Sequence, residues 1–454
     1  MKHMLIIGGS DAGISAALRI RELDARAQVT VVVADAYPNF SICGLPFYLS
    51  GEVRDWHTLA HRSAAEIEKH GIRLLLNHRA ETIQPQNKQV RVQSDKGEIL
   101  DLGYDSLLIA TGAESVRPPI QGLDTPGVFF LRWMADSFAL KHFMEEQRPR
   151  RAVIVGGGYI GLEMTDALVH RNLEVILMEY APQVLTTLDQ DLGRLIRNEL
   201  EAKGVRVITG QAVQSVSSGP DGLCVRTASG ETTAADMVLA AVGARPETRL
   251  AQTAGIDPGI AGAIPADRTM ATRVADIWAA GDCVETWHHT LQRNVYLPLG
   301  TTAHKQGRVA GENMLGGKRQ YQGSLGTQAV KVFDRVAART GLRDKGALEA
   351  GFHPLTTDHT AWDHKVYYPG AEQMHLRITG DRRTGRLLGA QIVGHRTSEV
   401  SKRIDICATA LFHNMRVEEL CDLDLSYTPP LSSPWDPVQM AAMQWCADLK
   451  KTAS

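Results

Sequence analysis

The sequence predicts an α/β protein with two Rossmann-like nucleotide-binding domains and a C-terminal α+β domain. Two observations point to the nucleotide-binding domains: separate strand–glycine turn–helix openings at residues 4–13 and 151–161. The third is a distal stretch where alternating apolar strands give way to helical periodicity. A chain of 454 residues is also long for one hydrophobic core, and length alone points to two to four domains.

In chain order, Met4-Leu5-Ile6-Ile7 reads as a buried strand, followed by the turn Gly8-Gly9-Ser10-Asp11-Ala12-Gly13 and a helix over 14–23. The next strand covers 29–33, and Asp35 just beyond it is the nearest acid for a nucleotide ribose. This fingerprint is degenerate, because Ser10 stands where the second glycine would be. Asn39-Phe40-Ser41-Ile42-Cys43-Gly44-Leu45-Pro46 then places one cysteine, with no second cysteine nearby, beside the nucleotide fold. A thiol there points to redox sulfur chemistry; its structural alternative is a small buried side chain. Residues 104–110 form another buried strand closing on Thr111-Gly112, and Pro118-Pro119 marks a linker.

The second opening is cleaner. Arg151-Ala152-Val153-Ile154-Val155 is a buried strand, and Gly156-Gly157-Gly158-Tyr159-Ile160-Gly161 is a full G-x-G-x-x-G before an apolar helix over 162–169. Its glycines make the tight turn, admit a pyrophosphate and let helix and strand pack closely; the helix start supplies N–H donors. A strand over 174–178 ends at Glu179, near the separation of about 20 residues expected for the acid that takes a ribose 2′-OH. A carboxylate there repels a 2′-phosphate, so NADH is favoured over NADPH. Residues 237–242 and the turn from Gly243 mark the return to the first domain. Ile277-Trp278-Ala279-Ala280-Gly281-Asp282-Cys283 and a helix over 301–314 follow. The third region opens at 328–339, with strands over 375–378 and 387–393 and helices over 399–413 and 417–423. Two nucleotide sites suit a flavoprotein that reduces FAD with NADH.

Composition sets limits. The formal net charge is −2, which gives no nucleic-acid-binding surface. There is no apolar run of about 18 residues, signal peptide or lipidation motif, so a cytoplasmic protein without membrane attachment is expected. The cysteines at 43, 224, 283, 407, 421 and 446 show neither C-x-x-C spacing nor a disulfide framework. Apart from Cys43 they read as core or surface residues. His288-His289 lacks further ligands at zinc-like spacing, so no metal is expected and a solvated loop is favoured.

With these motifs in place, nearly the whole chain resembles the pyridine nucleotide–disulfide oxidoreductases. It is most similar to the single-cysteine branch containing coenzyme A-disulfide reductases, NADH oxidases and NADH peroxidases. The resemblance implies an FAD domain over 1–120 and 245–325, an NAD(P)H domain over 121–244 and a dimerisation domain over 326–454. It implies that Asp282 hydrogen-bonds the flavin ribityl chain and that Thr111-Gly112 lies against FAD. Tyr159 would gate the nicotinamide pocket, with Glu163 near nicotinamide and flavin. The helix starting Thr301-Thr302-Ala303 would aim its N–H groups at the flavin pyrimidine. A tyrosine of the partner subunit would donate a proton: Tyr427 in Ser426-Tyr427-Thr428-Pro429-Pro430, joined by Tyr367 or Tyr368.

The implied chemistry passes hydride from NADH to FAD on one face, with Cys43 on the other. Oxidised Cys43, as mixed disulfide or sulfenic acid, takes the electron pair and becomes a thiolate. That thiolate requires a pKa below about 8.5, which N–H groups of a helix starting at Cys43 and the oxidised flavin would provide. With no neighbouring cysteine, the oxidant comes from outside. Departures from the family pattern bear on its identity. Asp11 replaces the histidine of NADH oxidases and peroxidases, which argues against a peroxidase. Glu22 stands where an arginine would hold coenzyme A, although Arg19 and Arg21 flank it, and Trp435 replaces a lysine. The expected function is NADH-dependent reduction of a small-molecule disulfide or persulfide by a homodimer whose active site is shared across the interface. The rival readings are an NADH oxidase or peroxidase acting on oxygen or peroxide, and a flavin electron-transfer reductase for a protein or quinone.

Overall fold

The computed structural model describes residues 2–219 and 222–453. The first sheet is parallel, in the order Ile277–Ala279, Ser106–Ile109, His3–Ile7, Gln28–Val32 and Ile72–Leu75. Continuous apolar runs such as Leu5-Ile6-Ile7 suit it, since both faces are covered. A second five-stranded parallel sheet runs Arg206–Thr209, Glu174–Glu179, Arg151–Val155, Met237–Ala240 and Val128–Phe129. The C-terminal sheet is antiparallel, in the order Gln328–Val332, Arg335–Gly341, Leu387–His395, Gln373–Asp381 and Pro354–Trp362. Helices Val400–Phe412 and Pro437–Ala453 cover it, with Trp445 fully buried and its indole N–H donated to the Leu355 carbonyl at 2.7 Å.

Several elements differ from their sequence reading. The helices after the two glycine turns begin at Asp11 and Tyr159, earlier than the apolar periodicity indicates, because the turn residues themselves join the first helical turn. No single helix starts at Cys43: a 3₁₀ turn, Ile42–Gly44, leads into the short helix Leu45–Ser50. The strand Pro354–Trp362 has no clear signature in the sequence; it lies at a sheet edge, and its Thr-rich stretch dilutes the apolar signal. His288 is buried in the strand Thr286–His288 rather than solvated, and burial pushes its pKa down to about 4. Among the described residues, no group of His, Cys, Asp and Glu could hold a metal, and no helix is long and apolar enough to cross a membrane.

One helix pair positions much of the candidate site. Asp11–Leu23 and Gly300–Met314 pack backbone to backbone, because a Cβ on Gly307 would lie 2.1 Å from the Ala12 carbonyl oxygen and one on Gly311 2.6 Å from that of Ala16. No side chain fits between them, so residues one turn away are carried into contact.

Candidate functional site

The first glycine turn leaves the sheet at Gly8. Its φ of +120°, and the mere 2.0 Å that would separate a Cβ there from the Ala110 oxygen, both demand glycine. Ser10 is exposed and caps the helix with its backbone alone, while Ala12 and Gly13 are buried beneath it. The Asp35 carboxylate accepts the Tyr37 N–H at 2.9 Å, and burial holds its pKa above the ordinary carboxylate value. Thr111 donates its hydroxyl to the Glu247 carbonyl at 2.6 Å, next to Gly112 in the left-handed region. Thr302 and Ala303 are buried at the start of Gly300–Met314, and Thr301 is exposed.

At the second turn, a Cβ on Gly161 would sit 1.9 Å from the Gly156 oxygen, whereas one on Gly158 would meet nothing within 4 Å. The close approach seals helix to strand, and the open one leaves room above the helix N-terminus. The residues therefore fit a pyrophosphate. Glu179 reaches the same turn, accepting the Gly157 N–H at 2.5 Å and the Ala181 N–H at 2.7 Å. Tyr159 donates its hydroxyl to Gln328 at 2.6 Å and accepts from Thr187 at 3.3 Å, tying the first helical residue to the third region. Ile160 and Gly243 are both exposed.

Cys43 lies between these two turns and is exposed. The helix Leu45–Ser50 just after it packs on Tyr159–His170, while the Asn39 N–H just before it is donated to the Gly9 carbonyl at 2.7 Å. Four charged side chains act on the sulfur. Partial burial raises the Cys43 pKa, the carboxylates of Glu163, Asp11 and Asp282 raise it further, and Arg132 opposes them. The chain's own side chains thus work against the thiolate expected from sequence. Burial pushes Glu163 up to about 7, against the pull of Lys331 and with a further push from Asp166. Lys331 is itself paired with Asp166 at 2.7 Å. Asp282 is paired with Arg132 at 3.0 Å, and Arg132 also donates to the Ala113 carbonyl at 3.0 Å. Tyr367, Tyr368 and Tyr427 stand apart from this group on the C-terminal surface, all exposed, with Tyr427 acting on the Tyr367 phenol.

Sequence reasoning missed Arg132, Lys331 and His304. The first two belong to no local motif; long-range packing alone brings them to the site. His304 lies in a helix that the sequence singled out, but its partner Asp11 is far away along the chain, near the N-terminus.

Two parallel nucleotide folds, each with a glycine turn, around one accessible cysteine define a two-nucleotide oxidoreductase. The chain matches the family model described as pyridine nucleotide-disulphide oxidoreductase over residues 2–307, and that family's dimerisation domain over 327–437. It belongs to the pyridine nucleotide–disulphide oxidoreductase family and uses FAD and NAD(P)H. An NAD(P)H sulfur oxidoreductase (CoA-dependent) of Pyrococcus abyssi is 35% identical over 442 residues, 97% of each chain. Among solved structures, an NAD-dependent persulfide reductase from A. fulgidus superposes with a TM-score of 0.94 at 37% identity, covering 99% of this chain and 84% of that one. Reduced CoADR-RHD of Bacillus anthracis gives 0.96 at 30% identity, covering 99% and 81%.

Proposed function

We propose that this chain is a cytoplasmic, homodimeric flavoenzyme that uses NADH to reduce a low-molecular-weight disulfide or persulfide through Cys43. In this reading residues 1–120 and 245–325 hold FAD, 121–244 hold NADH and 326–454 form the dimer contact. The observation that carries it is the exposed Cys43 between the two glycine turns, with charged groups rather than a second thiol around it. When bound, NADH and FAD supply an electron pair as hydride. The Cys43 thiolate attacks one sulfur of the substrate, the other leaves as a thiol after taking a proton, and a mixed disulfide remains. The electron pair then cleaves that disulfide, which restores the thiolate and releases the second product. Tyr427 of the partner subunit, with Tyr367 or Tyr368, donates the proton.

The charged groups near Glu22 favour a substrate without phosphates over coenzyme A disulfide. Glu22 binds Arg308 at 3.0 and 3.1 Å and Arg19 at 3.1 Å, while Arg19 also binds Glu312 at 2.7 Å. Arg21 is spent on the carbonyls of His70 and Ala27. Trp435 is exposed and adds an apolar face. Oxygen or peroxide reduction through a Cys43 sulfenic acid is the second reading, favoured by the imidazole of His304 beside Asp11.

Anaerobic NADH titration of the purified protein tests the proposal. Uptake of a second electron pair beyond FAD, with a long-wavelength thiolate–flavin band, is expected, as is loss of disulfide turnover in Cys43→Ser. Full turnover in that variant overturns the reading and leaves a flavin electron-transfer reductase for a protein or quinone.

A further inference from the structure

A buried arginine in the C-terminal domain ties together the two surface segments that carry the exposed tyrosines. Arg403 lies in the first turn of Val400–Phe412 and is 5% exposed. Its Nε donates to the Asp436 carboxylate at 3.1 Å, and Asp436 is buried too. Nη1 donates to the Ser398 carbonyl at 2.5 Å and faces the Met374 Sδ at 3.7 Å. Nη2 donates to the carbonyls of Asp363 at 2.8 Å and Leu431 at 3.3 Å. The planar fork therefore meets an acceptor in every direction in which it can donate. Just ahead of the helix, Glu399 takes a φ of +53°, a strained conformation for a non-glycine residue.

The acceptors come from separate stretches of chain. Asp363 roots the stretch that bears Tyr367 and Tyr368, and its carboxylate accepts the Ser398 hydroxyl at 2.7 Å and the Glu372 N–H at 3.0 Å. Leu431 and Asp436 follow Tyr427, and the Leu431 N–H is donated to the Thr428 carbonyl at 3.0 Å. Further out the two stretches meet again: the Lys365 N–H is donated to the Pro429 carbonyl at 3.2 Å, and Tyr427 meets the Tyr367 phenol. Residues 363–372 and 422–436 are neither helix nor strand, so no ladder of backbone bonds sets their positions. A buried ion pair adds little stability over an apolar side chain of the same size. What the guanidinium adds is direction, because its fork accepts only one arrangement of the carbonyls around it.

We propose that Arg403 is a positioning residue for disulfide reduction, clamping the stretches that bear Tyr367 and Tyr427 into one proton-donating unit. The proposal rests on the reading that Tyr427 protonates the leaving thiol. Arg403 touches neither tyrosine; it acts through the carbonyls of Asp363 and Leu431. Lysine at this position keeps a charge opposite Asp436 but lacks the fork that reaches both carbonyls.

The test is a double-mutant cycle on the FAD-loaded full chain, with bis(2-hydroxyethyl) disulfide as the small uncharged probe. Arg403→Lys is expected to lower kcat for the disulfide roughly tenfold or more, the scale of effect of a misplaced catalytic group. The rate at which NADH reduces the flavin should stay unchanged, since that step takes place away from the tyrosines. On a Tyr427→Phe background, Arg403→Lys should lower kcat little further, because the group it positions is already gone. A merely structural role would slow both steps, or would lower kcat by the same factor on either background, and each of these results overturns the proposal. So does full disulfide turnover in Arg403→Lys. If Arg403→Lys does not hold FAD, Ser398→Ala, which removes only the hydroxyl bond to Asp363, must lower disulfide kcat without slowing flavin reduction, and no fall overturns the proposal. Tyr427→Phe alone keeps the two readings apart. Full turnover there defeats the assigned proton donor, and this proposal with it; reduced turnover with an additive effect of Arg403→Lys defeats this proposal alone.

Discussion

Glu163 shows how far burial outweighs pairing at a single position. Lys331 pulls its pKa down, yet burial leaves it at about 7, because Lys331 is already bound to Asp166. Between the ordinary glutamate value and pH 7, the folded chain therefore holds a proton that the unfolded chain has released. Relative to a chain whose Glu163 is unperturbed, the charged form costs stability, and that cost grows from the ordinary glutamate pKa until pH passes about 7. Glu163→Gln should thus stabilise the flavin-free chain by roughly 2–3 kcal/mol at pH 8 and change little at pH 4, as read by urea unfolding. An equal effect at both pH values would show that Glu163 is not buried against its charge. The same substitution removes the largest charge opposing the Cys43 thiolate, so Cys43 should also be alkylated faster at pH 8.

At the scale of the element, the glycine turn after Arg151–Val155 separates structural from binding glycines. A side chain at Gly161 collides with the Gly156 carbonyl at 1.9 Å, whereas one at Gly158 enters open space. Gly161→Ala is expected to cost several kcal/mol through backbone displacement, visible as a large drop in melting temperature. Gly158→Ala should melt within about a degree or two of wild type, while its KM for NADH rises roughly tenfold or more through collision with the pyrophosphate. Were the two variants equally unstable, the open space above Gly158 would be a packing feature. Glu179→Ala belongs to the same element: removing the carboxylate should narrow the preference for NADH over NADPH, measured as the ratio of kcat/KM values.

The whole molecule places its proposed thiol and its proposed proton donors on different surfaces. Cys43 opens between the nucleotide folds, while Tyr367, Tyr368 and Tyr427 stand exposed on the C-terminal domain, where Trp435 and Leu431 are exposed too. In a twofold dimer each tyrosine would serve the partner's cysteine. Mixing Cys43→Ser with Tyr427→Phe subunits should then recover about a quarter of wild-type disulfide turnover, since half the dimers are hybrids and each hybrid keeps one intact site. If turnover in the mixture does not exceed the average of the two parent variants, a site shared between subunits is ruled out.

Both nucleotide folds are legible in the sequence because their signals are local. A buried parallel strand is a continuous apolar run, and a glycine turn is a fixed pattern; Arg151–Val155 matches its apolar run residue for residue. Periodicity places the helix starts late, because the first turns at Asp11 and Tyr159 are polar or glycine-rich and carry no apolar repeat. The lone position of Cys43 and the acid at Glu179 are also visible, since each is a statement about near neighbours along the chain. The tertiary structure alone decided the electrostatics around Cys43. Asp11 meets His304 only because two glycines let distant helices touch, and Arg132 and Lys331 arrive from segments with no motif. Charge acts through space at distances of a few ångströms, and sequence separation carries no record of them.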